Sequence, residues 1–276
     1  MTLKLNLKNG TIETTMLGPL WARATYSEKY PDLLNDPKAS QIIKKLDYDF
    51  SEVQEFLDEW RGLGLLVRAR SFDNALKKYM EKNPNTTVVN IGAGLDTTFY
   101  RVDNGKIKWY DLDLPDAIEF RKQFIPESPR SKYIAKSVLD YSWFDDVEFH
   151  ADKGIFFIAG GFIYYFKEEE ISTLFRAMAE RFPGGEIIFD AISKLAKRIM
   201  NRRVRKAGAE SKPFFFSVGN PMKKFPKWSN KIEVFDWFTI WARASRNPNW
   251  SKKTIKMINI AERFKTAKIV QVRFLK

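Results

Sequence analysis

The sequence predicts an α/β chain, a mainly parallel sheet flanked by helices on both faces, and three observations carry that reading. From residue 87 onward, apolar runs of strand length alternate with stretches of helical period, and repeated β-α units with crossovers imply parallel pairing. The first run, Thr86-Thr87-Val88-Val89-Asn90-Ile91, breaks into Gly92-Ala93-Gly94-Leu95-Asp96-Thr97, where glycines permit positive φ and leave bare backbone for a ligand to approach. The second run, 107–110, delivers Asp111 and Asp113, 19 and 21 residues after Gly92, the spacing at which an acid meets ribose hydroxyls at a sheet's carboxyl edge. A dinucleotide fingerprint asks for a third glycine, and Thr97 stands there instead. The ligand expected is therefore an adenosyl group without phosphates.

Each element follows from local signals. The first sixty-odd residues read as helices, with a polar start at 11–15, a break at Tyr30-Pro31 and an amphipathic stretch over 51–61. Gly62 and Gly64 punctuate before a helix over 65–82, where Leu65, Ala69, Phe72, Leu76 and Met80 share one face, and Asn83-Pro84-Asn85 ends it. Strands are expected over 87–91, 108–111, 131–136, 154–159 and 186–191, with helices over 97–102, 115–124 and 167–181 between them. A basic stretch, 194–231, follows the fifth strand. A Trp-rich segment (232–241), a helix (252–264) and a final strand (269–274) close the chain. One domain is expected: a helical lid over 1–64, a ligand-binding core over 65–193, the basic insertion, and the rest of the sheet over 232–276.

Composition excludes several chemistries. The 276 residues contain no cysteine and one histidine, which removes disulfides, thiolate nucleophiles and multi-histidine metal sites, so no metal is expected. The N-terminus carries no signal-peptide core, and the longest apolar run, 154–166, is too short to span a bilayer. A cytoplasmic protein is the expectation. The net charge is +13, and 194–231 supplies most of it, with twelve Lys and Arg against the single acid Glu210. Such a stretch is either a solvated helix face or a patch for an anionic partner: an acidic small molecule, a nucleic acid or a membrane surface.

Three further clusters stand near the glycine turn. Val67-Arg68-Ala69-Arg70-Ser71-Phe72-Asp73 lies on the helix before the first strand, where an arginine is either surface charge or a bidentate clamp for an amino-acid carboxylate. Ser137-Val138-Leu139-Asp140-Tyr141 follows the third strand, as a helix cap or as an acceptor for an adenine amino group. Ile158-Ala159-Gly160-Gly161-Phe162-Ile163-Tyr164-Tyr165-Phe166 ends the fourth strand, either as core or as aromatic walls around a sulfonium.

Together these pieces resemble one family: the class I S-adenosylmethionine-dependent O-methyltransferases related to leucine carboxyl methyltransferase and to bacterial polyketide-synthesis O-methyltransferases. The resemblance spans about 18–191. It rests on Pro19-Leu20-Trp21-Ala22-Arg23-Ala24 with Asn35-Asp36-Pro37-Lys38-Ala39 as a lid, Val67-Arg68-Ala69-Arg70 with Asp73, the glycine loop with Tyr100-Arg101, and Tyr110-Asp111-Leu112-Asp113-Leu114-Pro115. It implies a Rossmann-like, mainly parallel seven-stranded sheet with helices on both faces, an N-terminal helical lid and an insertion after the fifth strand. S-adenosylmethionine is the implied cofactor and S-adenosylhomocysteine the product. The resemblance also implies that Arg68 holds the methionyl carboxylate with help from Arg23. It assigns Gly92 to the amino-acid part and counts Ala93, Gly94 and Asp96 among the cofactor-binding residues. Asp113 or Asp111, beside Leu114, is assigned to the ribose, and Ser137 and Val138, with Asp140 nearby, to adenine. Ala159 and Gly160 end the fourth strand. There the family usually carries a glutamate for the methionyl ammonium where this chain has Gly160, and its usual Asp-Leu at the adenine site is Ser137-Val138. Restoring a glutamate at Gly160 should tighten cofactor binding, unless Tyr164, Tyr165 or water fills the space.

Methyl transfer from a sulfonium is an in-line displacement that depends on alignment and exclusion of water. His150, the sole histidine, precedes the fourth strand and is expected at the far edge of the sheet, in a structural role. Tyr164 and Tyr165 are the candidate catalytic residues, although a carboxylate acceptor, already ionised, needs no base. A small-molecule O-methyltransferase with an acidic acceptor is therefore the leading reading, with Phe214-Phe215-Phe216 and Trp228 beside Lys212, Lys223 and Lys224 as the acceptor surface. The alternatives are a nucleic-acid methyltransferase using the basic stretch, for which no RNA-binding module is recognisable, and a non-catalytic adenosyl-binding protein.

Overall fold

The computed structural model describes residues 3–4, 12–207 and 213–276. Seven strands form one sheet: β1 (Thr87–Ile91), β2 (Lys108–Asp113), β3 (Ser131–Ala135), β4 (Ile155–Ala159), β5 (Glu186–Ile192), β6 (Ile232–Thr239) and β7 (Ala267–Phe274). Their order is β3-β2-β1-β4-β5-β7-β6. The first five run parallel, and β7 inserts antiparallel between β5 and β6. The order reverses between β1 and β4, so the crevice outside their carboxyl ends is the switch point at which such sheets bind ligands. Apart from the sheet, Leu3 and Lys4 pair with Leu46 and Asp47.

Both faces of the sheet are covered, and residue parity along each strand shows it. On β4, Ile155, Phe157 and Ala159 join the core under α7 (Trp143–Asp146) and α8 (Glu168–Arg181), packing with Trp143, Ile171, Phe175 and Met178. The alternate residues Phe156 and Ile158 face α4 (Glu59–Lys82), packing with Phe72, Leu76 and Met80. This alternation is what a strand buried on both faces requires. The other helices are α1 (Ile12–Lys29), α2 (Pro37–Lys45), α3 (Ser51–Phe56), α5 (Thr98–Val102), α6 (Pro115–Lys122), α9 (Lys194–Ala207), α10 (Pro221–Lys224) and α11 (Lys252–Arg263).

Two expectations need correction. Gly62 and Gly64 do not punctuate: α4 starts at Glu59, capped by the Asp58 carboxylate accepting from the Arg61 N–H at 3.4 Å, and runs through both glycines. The line expected between 64 and 65 therefore passes through the middle of a helix shared by lid and core. Gly62 sits inside the helix because α1 lies against it, and a Cβ there would stand 2.0 Å from the Tyr26 ring. The Trp-rich segment, expected within the last part of the sheet, is strand β6, with a register shift between Val234 and Asp236. Thr11 and the side chains of 12–15, part of the expected polar helix start, lie outside the described residues, as do Glu210 and Lys212.

Gly62 yields a test of opposed effects. In an exposed helix interior, Gly→Ala gains about 1 kcal/mol. Here Gly62→Ala is expected to lose about 1–3 kcal/mol through overpacking against Tyr26, read from the urea midpoint at unchanged m-value.

Candidate active site

The glycine loop leaves β1 with Gly92 at φ +66 and Gly94 at φ +46. Its backbone is almost fully spoken for. The Gly92 and Ala93 N–H groups donate to the Leu112 carbonyl at 2.8 and 3.3 Å, and the Gly94 N–H donates to Asp113 Oδ2 at 2.8 Å. The Asp96 N–H donates to the Ala93 carbonyl at 2.8 Å, and the Thr98 N–H to Asp96 Oδ1 at 2.7 Å. A pyrophosphate would need those donors free. The loop instead suits a ligand without phosphates, as the missing third glycine suggested.

A buried charge cluster holds the loop from behind. Arg121 on α6 donates to the carbonyls of Gly94 and Asp96 at 2.8 and 2.7 Å and to Asp111 Oδ2 at 2.7 Å. Arg23 on α1 donates to the Leu95 carbonyl at 2.9 Å and to Asp36 Oδ2 at 3.1 Å. That same Asp36 oxygen accepts from the Thr97 hydroxyl at 2.6 Å and from Arg101 at 2.7 Å, while Oδ1 caps α2 through the Ala39 N–H at 3.0 Å. Arg101 also grips Asp73 of α4 with two bonds, at 2.7 and 2.9 Å. Burial disfavours its charge, but Asp73 and Asp36 outweigh that and hold the guanidinium above its ordinary value.

The expected site residues divide accordingly. Asp111 is fully buried, accepting from Asn90 and Trp109 at 2.9 Å each besides Arg121, and therefore braces the loop. Asp113, one pleat further, is partly open and accepts from the Gly94 and Leu114 N–H groups at 2.8 Å each, and burial raises its carboxyl above the usual range. For Asp96, burial works against ionisation, yet Arg23 and Arg101 prevail and its carboxyl lies below the usual range. Arg23 is committed to Asp36 and the loop. Ser137 and Asp140 sit past β3 as local caps, accepting from the Leu139 N–H at 3.3 Å and the Ser142 N–H at 3.1 Å. Val138 is buried, and its carbonyl accepts from the Trp143 indole at 3.0 Å. Leu114 is exposed, Arg70 turns outward to the Asp32 carbonyl, and Ala159 is buried in β4. His150 lies before β4 with Glu148, at the amino-terminal edge as expected.

At the end of β4 the geometry differs from expectation. A Cβ at Gly160 would lie 2.9 Å from the buried Phe72 ring, so the space where a glutamate was to tighten binding belongs to Phe72, not to Tyr164, Tyr165 or water. A glutamate at Gly160 in this backbone clashes. Phe162 lies over Gly92 and Met16 of α1 over Gly94, with ring and thioether carbons 2.3 and 2.9 Å from where a Cβ would stand. Apolar side chains thus close over the loop. Arg68 faces Asp190 of β5 at 3.4 Å, and the other Asp190 oxygen accepts from the Gly161 N–H at 2.5 Å. Burial opposes the Arg68 charge, but Asp190 outweighs it and raises the guanidinium above its ordinary value. Burial and then Asp190 push the Tyr164 phenol well above 10. Tyr164 is therefore a neutral hydrogen-bond donor at any working pH and does not accept a proton as phenolate. Tyr165 is more exposed, its phenol also raised by burial.

The basic insertion folds back onto this end of the sheet. Phe215 and Phe216 N–H groups donate to the Tyr164 carbonyl at 2.8 and 3.2 Å, and Phe214 stacks on Tyr165 with ring centroids 5.1 Å apart. The expected acceptor surface is only partly available. Phe216 is buried in the main core, where Trp228 packs against Phe175 and Phe225, and Lys224 pairs with Glu168. Phe215 stays exposed, as do Leu195 and Ile199 on α9.

Sequence reasoning missed Asp190, Asp36 and Arg121. Asp190 had a signal, since it is the one acid within the apolar run of β5 and stands at its carboxyl end. Asp36 had another, an Asp-Pro-x-Ala helix start. Arg121 had none, because a basic residue late in a helix is ordinary. Among the described residues no group of three or more His, Asp or Glu is placed to hold a metal ion, and no helix is long and apolar enough to cross a membrane.

Comparison with known proteins agrees with this architecture. Residues 16–179 match the leucine carboxyl methyltransferase family. The chain is 28% identical over 213 residues to the tetracenomycin polyketide synthesis O-methyltransferase TcmP of Streptomyces glaucescens, covering 76% of each chain. It is 27% identical over 206 residues to the S-adenosyl-L-methionine-dependent methyltransferase dpfgK of Gibberella zeae, covering 68% of this chain and 69% of the other. A crystal structure of a DUF574-family protein from Streptomyces avermitilis superposes with a TM-score of 0.61 at 13% identity, covering 86% of this chain and 95% of that one.

Removing the Asp36 carboxylate from the buried cluster takes away the ion-pair partner of Arg23 and one of the two that hold Arg101. Asp36→Ala is expected to cost about 3–5 kcal/mol, whereas Asp103→Ala, which breaks the exposed pair with Arg130, should cost under about 1 kcal/mol. Urea denaturation of both variants measures the difference.

Proposed function

The chain belongs to the leucine carboxyl methyltransferase family, and from that premise we propose that it is an S-adenosylmethionine-dependent O-methyltransferase whose acceptor is a small molecule bearing a carboxylate. The observation that carries this reading is the glycine loop at the switch point, whose Gly92, Ala93 and Gly94 N–H donors are consumed by β2. It can receive an uncharged ribose and an amino-acid chain but offers no anion nest. S-adenosylmethionine, when bound, supplies an electrophilic methyl group on a sulfonium.

The residues fit such a ligand. Arg68 would hold the amino-acid carboxylate, since its raised affinity for the proton keeps the charge at every working pH. Asp113, at the end of β2, would meet the ribose hydroxyls, and the 137–138 segment past β3 would border adenine. Phe162 and Met16 would exclude water from the loop, which strengthens every charge interaction inside and suits a displacement in which an ionised acceptor has no proton to lose. Tyr164 would donate a hydrogen bond to an acceptor and orient it. It does not deprotonate an acceptor.

With His150 at the far edge of the sheet and Tyr164 held protonated, the described residues place neither a histidine nor a phenolate base there, which favours an acceptor that is already ionised. α9 supports the same choice. Its inner face, Ala196, Met200 and Val204, packs on Phe214 and Tyr164, while Lys194, Arg198, Arg202 and Arg205 are exposed beside Leu195 and Ile199. An apolar acid meets both kinds of surface there. A nucleic acid would instead need several phosphate contacts, and its binding would fall steeply with salt.

Two outcomes test the proposal. Arg68→Ala should weaken S-adenosylhomocysteine binding by about 2–3 kcal/mol in a folded variant, measured by calorimetry, and an unchanged affinity would leave Arg68 as a structural partner of Asp190 only. With a panel of apolar carboxylic acids and phenols, turnover should favour the acids. Because a carboxylate is ionised above about pH 5 and Tyr164 stays protonated, kcat should be flat between about pH 6 and 9. A rate rising tenfold per pH unit across that window would mark an acceptor that must first lose a proton.

A further inference from the structure

We propose that Asp190 receives the α-ammonium group of the ligand, so that Arg68 and Asp190 together form a clamp for a zwitterionic amino-acid head. The inference rests on the adenosyl reading of the site and adds to it a residue from a different strand.

The placement comes from two periodicities. On α4, Arg68, Phe72, Leu76 and Met80 are spaced four apart and form one stripe, with the last three buried against the sheet. α4 leads into the amino end of β1, so it runs antiparallel to β1, and Arg68, in its first half and two turns or more before Leu76 and Met80, lies toward the carboxyl edge. On β5, Ile188 faces this same stripe while Phe189 faces α8, so Asp190 returns to the α4 face. Ala159 pairs with Phe189, which sets Gly160 and Gly161 beside Asp190 at the mouth of the switch-point crevice. The Cβ-free 160–161 segment contributes no carboxylate there.

The contact is unlike the structural ion pairs of the same protein. Arg101 binds Asp73 by two short bonds and Arg121 binds Asp111 at 2.7 Å, with side chains at most 5% exposed. Arg68 and Asp190 share a single contact of 3.4 Å, and their side chains remain 14% and 10% exposed. Asp190 is anchored through one oxygen by the Gly161 N–H, which leaves Oδ2 as the acceptor facing Arg68. A free amino acid carries its ammonium and carboxylate on one carbon. A guanidinium and a carboxylate side by side present the complementary pair, and insertion of the zwitterion replaces one long contact by two charge-assisted ones.

The test compares S-adenosylhomocysteine with its deamino analogue, in which hydrogen replaces the ammonium, by calorimetric titration of the intact chain. The unmodified protein should prefer the ammonium-bearing compound by about tenfold or more. Asp190→Asn keeps an oxygen for the Gly161 N–H, and its preference should fall below about threefold with the affinity for the deamino compound unchanged. Asp190→Glu, which keeps the charge, should retain a preference above that. An ion pair serving only the fold would leave the ratio intact, so a tenfold preference surviving in folded Asp190→Asn overturns the assignment. Equal binding of the two compounds by the unmodified protein also overturns it. Binding of neither compound by the unmodified protein overturns the adenosyl reading itself, and the role of Asp190 with it.

Discussion

Three buried carboxylates, Asp36, Asp73 and Asp111, face three buried guanidiniums, Arg23, Arg101 and Arg121, and the glycine loop hangs on this cluster. Each of these six has a partner of opposite charge, as it must, because an unpaired ion at that depth would cost several kcal/mol, and the Asp96 carboxylate adds a fourth acid beside Arg23 and Arg101. Its members come from α1, the loop before α2, α4, β2, α5 and α6. A six-residue turn that could not hold its shape alone is thereby pinned at three carbonyls, those of Gly94, Leu95 and Asp96. The same cluster couples the lid to the sheet, because Arg23 and Asp36 lie on the lid side of it.

On the proposed reading, that coupling makes the N-terminal helices part of the site. α1 brings Met16 onto Gly94 while β4 brings Phe162 onto Gly92, so the loop is capped from two directions by apolar atoms. Displacement at a sulfonium gains from a dry, aligned setting more than from proton transfer. On the same reading, Arg68 and Tyr164 are tuned for constancy. Arg68 holds its proton more tightly than usual and so does Tyr164, the one through its carboxylate neighbour and the other through burial. Neither changes charge within the working range.

Much of this was legible in the sequence. The strand-helix alternation, the turn at Gly92 and the acid at Asp113 were read from local pattern, because parallel strands buried on both faces have few ways to be written. The glycines of α4 were misread for a related reason: local propensity treats Gly62 as a break, whereas the packing of Tyr26 on its bare backbone outweighs that cost. At Gly160 the sequence suggested a missing carboxylate and could not say that Phe72 from the neighbouring helix fills the direction in which it would point. Asp190 lies thirty residues further on and reaches the same spot only through the pairing of β4 with β5. Long-range pairing is the step that residue patterns do not encode directly, and the sites that depend on it are those that went unseen.

The central claim is that a phosphate-free adenosyl ligand occupies the crevice at the end of β1, on a loop whose donors are already consumed. Calorimetric titration of the purified chain with S-adenosylhomocysteine, and in parallel with NAD, tests it most directly. The account predicts saturable one-to-one binding of S-adenosylhomocysteine in the micromolar range or tighter, about −8 kcal/mol or more favourable, and no detectable heat with NAD. Binding of NAD without binding of S-adenosylhomocysteine would contradict it.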